Sequence, residues 1–309
     1  MNKVLALDPK AIEFDSDWVK IYPFVGHEKG LFMANFPKNW TKEFLNEVYD
    51  EEKWEFWDAE KIKEYLITLQ KSNTFISLNS PYEPSFEWHE NFLKLDQIKI
   101  ENCIAVCRRN VLCGLKNLDN LDSRQLFVDT TIGEKFSPNK LANVLKIFLQ
   151  NSSKIAIVDR HNYLTAPSGK PSLFVEFIKE ILDITKSTRC HEIIIYAKYD
   201  PLNYPYMLND STISEKLKEL FDGCITPTYG IKYICCAEYQ KNTDLHSRRI
   251  ITNHVVFILS DSIAGRTYSQ SITRVHDEKF RELNIRSWID QDHGLDVKAS
   301  AVYVNQIKT

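Results

Sequence analysis

Residues 192–200, EIIIYAKYD, set five apolar side chains in unbroken succession between polar ends. A strand with one wet face alternates apolar and polar residues. A strand without a polar side is covered on both faces, as in a parallel sheet packed between helices. The segments around it extend the pattern. IAIVDRHNYL (155–164) is a second apolar run, and it ends in polar residues. PSLFVEFIKEILDITK (171–186) has helical spacing with Ser172 as its cap, and STISEKLKELFDG (211–223) is a helix closed by Gly223. IKYICCAEYQ (231–240) is a further strand, and HSRRIITNHVVFILSD (246–261) reads as two strands joined by a turn at Asn253-His254. The order β-α-β-α-β-β-β predicts an α/β fold, a mixed sheet flanked by helices. In such a sheet ligands gather beyond the strand ends, where polar residues interrupt the apolar runs.

The first half lacks this cadence. Residues 17–36 read as two strands around a glycine turn. A helix follows, with a cap at Asn39-Trp40-Thr41 and Phe44, Leu45, Val48 and Tyr49 as its apolar stripe. Residues 58–70 form another, with Ile62, Tyr65, Leu66 and Leu69 on one face. Trp54, Phe56 and Trp57 between them read as core rings, with a base-stacking platform as the other reading. A short helix near 88–93 and strands near 98–108 and 125–129 complete an α+β module of unknown role. Ser137-Pro138 opens a helix with Leu141, Val144, Leu145 and Phe148 buried. The chain divides near it, into residues 1–140 and 141–309.

Charge separates the halves as well. Residues 1–100 hold 12 Lys and Arg against 18 Asp and Glu, a net charge of −6, which leaves +3 for the rest of a chain whose total is −3. The acidic half repels DNA and suits a protein partner; the other half tolerates a polyanion, and an ordinary solvated surface fits the same counts. No apolar run approaches the roughly 20 residues of a membrane helix. The N-terminus, MNKVLALDPKAIEF, is no signal peptide, so no transmembrane segment and a cytoplasmic location are expected. Seven cysteines, several in apolar strands (Cys103, Cys107, Cys235, Cys236), predict reduced buried thiols. Cys103, Cys107 and Cys113 match no zinc spacing, so no metal and no cofactor are expected.

The segment that carries chemistry is Leu245-His246-Ser247-Arg248-Arg249-Ile250-Ile251-Thr252-Asn253. His246, Arg248 and Asn253 stand at the spacing H-x-R-x-x-x-x-N. Residues two apart on a strand share a face, so His246 and Arg248 place an imidazole beside a permanent cation. His161, with Asp159, lines the same strand-end crevice or lies in a surface turn. Arg248, Arg249, Arg266 and Arg274, with Lys198 and Lys232, make the region locally basic: either a phosphate-binding face or ordinary solvated side chains. The tail 278–289 reads as a helix or packing arm and 302–304 as a closing strand.

This segment and its surroundings resemble the phospholipase D superfamily, whose signature is H-x-K-x-x-x-x-D on a strand that follows an apolar strand and a short loop. Here IKYICCAEYQ precedes the motif and VVFILSDSIAG follows, with Ser260 and Ser262 in the small polar positions. The resemblance covers roughly residues 153–280, and it is to the degenerate branch that includes the C-terminal domain of MIT-domain proteins. It implies a phospholipase D-like domain behind the α+β module. In active members the histidine attacks phosphorus to form a phosphohistidine, and the histidine of a second, paired motif protonates the leaving oxygen. Here Arg248 stands for the lysine and Asn253 for the aspartate. Asn is accepted in the tyrosyl-DNA phosphodiesterase branch. A planar guanidinium, however, fills the pocket differently from a point ammonium.

The resemblance therefore implies His246, Arg248 and Asn253 as a degenerate catalytic set. It also implies Arg248, Arg249, Ser260, Ser262, Arg274 and His161 as a phosphate-binding set. The first reading is a non-catalytic subunit that binds DNA or a DNA-handling protein partner, of the kind found in prokaryotic anti-phage and anti-plasmid defence. The second is a homodimeric phosphodiesterase or nuclease with His246 as nucleophile, because one chain holds one motif. The third is a phospholipid-headgroup binder, disfavoured by net acidity. Whether the chain is an enzyme stays open at this point.

Overall fold

The computed structural model describes residues 2–49, 54–78, 81–95, 103–108, 115–224, 229–237, 245, 247–263, 269–291 and 296–304. It divides into two compact units, residues 2–129 and 130–309.

The first unit contains β1 (Lys3–Leu7), α1 (Asp15–Val19), β2 (Leu31–Asn35), α2 (Trp40–Val48), α3 (Phe56–Lys71), β3 (Phe75–Ser77), α4 (Trp88–Lys94), β4 (Cys103–Cys107), β5 (Lys116–Asn117) and α5 (Ser123–Leu126). Its strands form one sheet in the order β3-β2-β1-β4-β5, every pairing parallel. The expected α+β module is therefore α/β. Its central strand, KVLAL, is too short to register as a period, yet four of its five residues are buried between helices. Residues 17–36 do not form two strands. Asp17 accepts the backbone N–H groups of Glu13 (3.2 Å) and Phe14 (3.3 Å), which turns the chain into α1, and only β2 is extended. The strand expected at 125–129 is also replaced: Asp122 accepts Arg124 N–H at 2.9 Å and starts α5. Trp54 is buried, as a core ring should be, whereas the side chains of Phe56 and Trp57 lie outside the described residues.

The second unit contains β6 (Thr131–Lys135), α6 (Pro138–Gln150), β7 (Lys154–Val158), α7 (Leu173–Thr185), β8 (Glu192–Lys198), α8 (Asp210–Phe221), β9 (Gly230–Cys236), β10 (Arg249–Thr252), β11 (Val256–Leu259), β12 (Ser269–Arg274), α9 (Glu278–Asn284), a π turn (Ile285–Ile289) and β13 (Val297–Val304). The sheet order is β13-β9-β8-β7-β10-β11-β12-β6. β7, β8 and β9 run parallel, and the remaining pairings are antiparallel, so this is the expected mixed sheet. The seam lies at Asp129/Thr130 and not near residue 140, because β6 hydrogen-bonds along β12 and is drawn into this sheet.

On one face α7 buries Phe174, Val175, Phe177, Ile178, Ile181 and Leu182, each contributing roughly 1.5–3 kcal/mol. On the other face Trp288 and Ile289 of the π turn cover Val158, Tyr196 and Ile251. β8 is thereby enclosed on both sides, as its sequence requires. Among the described residues, no helix is long and apolar enough to cross a membrane.

Candidate functional site

β7 delivers its chain end, Asp159-Arg160-His161-Asn162, to the edge of the sheet, and buried polar contacts hold it there. Asn162 is fully buried; its Nδ2 donates to the carbonyls of Ile157 (3.1 Å) and Tyr196 (3.0 Å), and its own carbonyl accepts the Tyr233 hydroxyl at 2.8 Å. Asp159 is 2% exposed and accepts His161 N–H at 3.0 Å. Arg160 donates its N–H to Leu245 O (3.1 Å) and receives Lys198 N–H at its carbonyl (3.2 Å). These inward bonds leave Asp159 Oδ2 and Asn162 Oδ1 buried without a hydrogen-bond partner, and they leave the His161 side chain at the mouth of the crevice.

Across the crevice stands Arg248. The β7–β10 register pairs Val158 with Arg249, so Arg248 falls opposite Asp159, and its Nε lies 3.9 Å from the Asp159 carboxylate. Its Nη1 donates to Ser260 O at 3.3 Å. Together with His161 it lines a cleft of about 640 Å³ whose third wall is Pro171-Ser172-Leu173, the start of α7. Ser172 is the N-cap by position, but its hydroxyl donates to Tyr163 O at 2.5 Å and caps no first-turn N–H. Leu173, at the positive end of this 13-residue helix, lines the same space as Arg248. A second depression of about 560 Å³ shares His161, Tyr163, Pro167 and Tyr204 with the first and adds Arg160, Lys198 and Asp200.

The imidazole of His161 is the electrostatic focus. Burial pushes its pKa down; Asp159 pulls it up, and the cations Arg160, Arg248 and Lys198 press it further down. Arg160 Nε donates to His161 Nε2 at 2.8 Å, and a guanidinium can only donate, so the ring is neutral with its proton on Nδ1. An anion that enters the first cleft meets Arg248 beside Asp261, and one that enters the second depression meets Arg160 and Lys198 beside Asp200.

The residues singled out in the sequence separate into groups. Arg248, His161 and Ser262 line the first cleft together. Ser260 adjoins it through the carbonyl that Arg248 uses, while its Oγ accepts Ser271 N–H at 2.7 Å. His246 and Arg266 lie outside the described residues. β10 begins only at Arg249, so Arg248 precedes the strand instead of lying on it.

Three expected site residues are elsewhere. Asn253 sits at the far end of β10, where its Oδ1 accepts Ser153 N–H, Ser153 O–H and Lys154 N–H, each at 2.9 Å. All three bonds ask only for an acceptor at this position. Arg249 points to the opposite face of the sheet, donates to Asn284 Oδ1 at 2.8 Å and covers the Phe280 ring. Arg274, the last residue of β12, is 1% exposed and lies over the Phe148 ring. Lys232 bonds Gln291. Sequence reading passed over Arg160, Tyr163 and Tyr204, and took Ser172 only as the cap of its helix. The polar run directly after IAIV was the available signal for the first; none existed for Tyr204.

No family model matches the chain, and no curated protein matches it. Among solved structures the chain is similar to that of TrmBL2, described as an archaeal chromatin protein with a novel mode of DNA binding, at 14% identity over 85% of this chain and 72% of that one, with a TM-score of 0.29. A likeness at that score carries no argument about fold or function.

Proposed function

We propose that residues 130–309 form a phospholipase D-like domain that binds a phosphodiester backbone, that of DNA, in the crevice beyond β7 and β10 without cleaving it. The carrying observation is the set of cations around His161: Arg248 lines one depression and Arg160 with Lys198 the other, beside the carboxylates Asp159, Asp200 and Asp261. The uncapped start of α7 on the opposite wall adds a second, uncharged source of anion affinity. Binding without cleavage is favoured because Arg248 replaces the lysine of the signature, and because the neutral His161 spends its Nε2 lone pair on Arg160. The acidic first unit is proposed to dock a protein partner.

The test is a salt titration of the whole chain against a labelled oligonucleotide, with Arg160→Ala and Arg248→Ala variants. Each variant is expected to weaken binding at every salt concentration and to flatten the dependence on salt by about one phosphate contact. Unchanged affinity and slope in both variants sinks the reading. Cleavage in EDTA, with a phosphohistidine that disappears in His246→Ala, moves the site to the homodimeric phosphodiesterase reading.

A further inference from the structure

Tyr163 and Tyr204 come from the loops that follow two neighbouring parallel strands, β7 and β8, and their rings stack with centroids 3.9 Å apart at 20°. Both rings line both depressions. The pair is held from behind. Tyr163 O accepts the Ser172 hydroxyl, and Tyr204 sits edge-on to Tyr206 at 6.2 Å, whose own hydroxyl accepts Leu164 N–H at 2.8 Å in the core. Each depression thus has its own charged groups, Arg248 with Asp261 in one and Arg160 and Lys198 with Asp200 in the other, and a braced aromatic step is common to both. Leu202, 94% exposed, borders the second. A ringless polyanion would use the cations alone. A chain that alternates phosphates with flat rings uses the whole surface.

We propose that this site takes single-stranded DNA, with a nucleobase stacked on the Tyr163–Tyr204 pair and the flanking phosphates in the two depressions. The proposal rests on the phosphate-binding reading above and adds the strandedness of the ligand. In a duplex each base face is covered by its neighbours, whereas an unpaired base offers its face to an aromatic platform. Such stacking strengthens binding by roughly fivefold to a hundredfold per base.

The experiment compares three probes on the full chain at one salt concentration: an oligothymidylate, an abasic oligomer of equal length, and a duplex. The wild type should bind the oligothymidylate at least about fivefold more tightly than the abasic oligomer. Tyr204→Ala should erase that difference and leave abasic binding in place, while Tyr204→Phe, which keeps the ring, preserves it. Equal binding of the thymidylate and abasic probes, or a preference for the duplex, overturns the stacking and leaves the phosphate reading standing. Failure of the wild type to bind any of the three removes the phosphate reading and this proposal with it.

Discussion

A central strand in each unit runs out into an aspartate, Asp8 after β1 and Asp159 after β7, and the two carboxyls meet opposite surroundings. Asp8 lies where the sheet order turns back between β1 and β4, its N–H donated to Val106 O at 2.9 Å. Burial raises its pKa; Lys10 and His89 lower it, and Glu87 raises it. Tyr82, nearby, feels Glu43 and Glu87 as well as Asp8. Asp159 instead shares its crevice with Arg248, Arg160 and Lys198. A strand-end aspartate is thus held toward its protonated form in one unit and sits among cations in the other. Topology supplies the crevice, and the charges on the neighbouring loops decide its use.

The largest expected effect concerns what holds the second crevice in shape. Asn162→Ala removes the side-chain donor to two buried carbonyls, Ile157 O and Tyr196 O, the second of which keeps the Asp159 N–H at 3.4 Å, so urea unfolding should show a loss of roughly 1–3 kcal/mol in residues 130–309. A loss below about 0.5 kcal/mol, within the ordinary range of surface substitutions, means the loop is not held by those bonds.

Next, the two crevices should differ toward DNA. Arg248→Ala is expected to weaken binding by about tenfold, the worth of one charge-assisted contact, whereas Lys10→Ala in the acidic crevice should not change it. Equal losses in both variants break the comparison.

A pH series sharpens it further. The folded pKa of His161 lies below its ordinary value, so the native state binds fewer protons than the unfolded chain in that window. The histidine's contribution to stability is thus present above pH ~6.5 and is lost as pH falls toward the folded pKa. A bound phosphodiester adds negative charge opposite Arg160, Arg248 and Lys198 and raises that pKa, so binding takes up a proton. Affinity should climb by less than about tenfold per pH unit as pH falls below 7. A steeper slope, or one that survives in His161→Gln, assigns the proton to another group.

The smallest effect belongs to Asp8. Its folded pKa is raised, so the native state loses stability as pH rises above ~3.8, and Asp8→Asn removes the buried charge while keeping an acceptor for Lys10 N–H. The variant should melt higher than the wild type at pH 7, with the advantage shrinking toward pH 4. A lower melting temperature at pH 7 shows that the carboxylate is needed as a charge.

Apolar periodicity by itself determined the α/β character of residues 154–261, the double burial of 192–198 and the polar strand end after Val158. Each of these depends on residues within one or two turns of one another, and burial enforces the pattern directly. Only the tertiary structure decided the parallel sheet of residues 2–129, since strands as short as Lys3–Leu7 and Phe75–Ser77 are defined by their partners and not by their own period. It also decided which arginines share a site. Arg248 and Arg249 are adjacent in sequence, but the pleat sends them to opposite faces, and strand register sets Arg248 against Asp159 and His161 from a remote segment. Asn253, at motif spacing, lands one strand length away. The stacking of Tyr163 on Tyr204 follows from two loops that adjacent parallel strands bring side by side, a proximity that local composition does not encode.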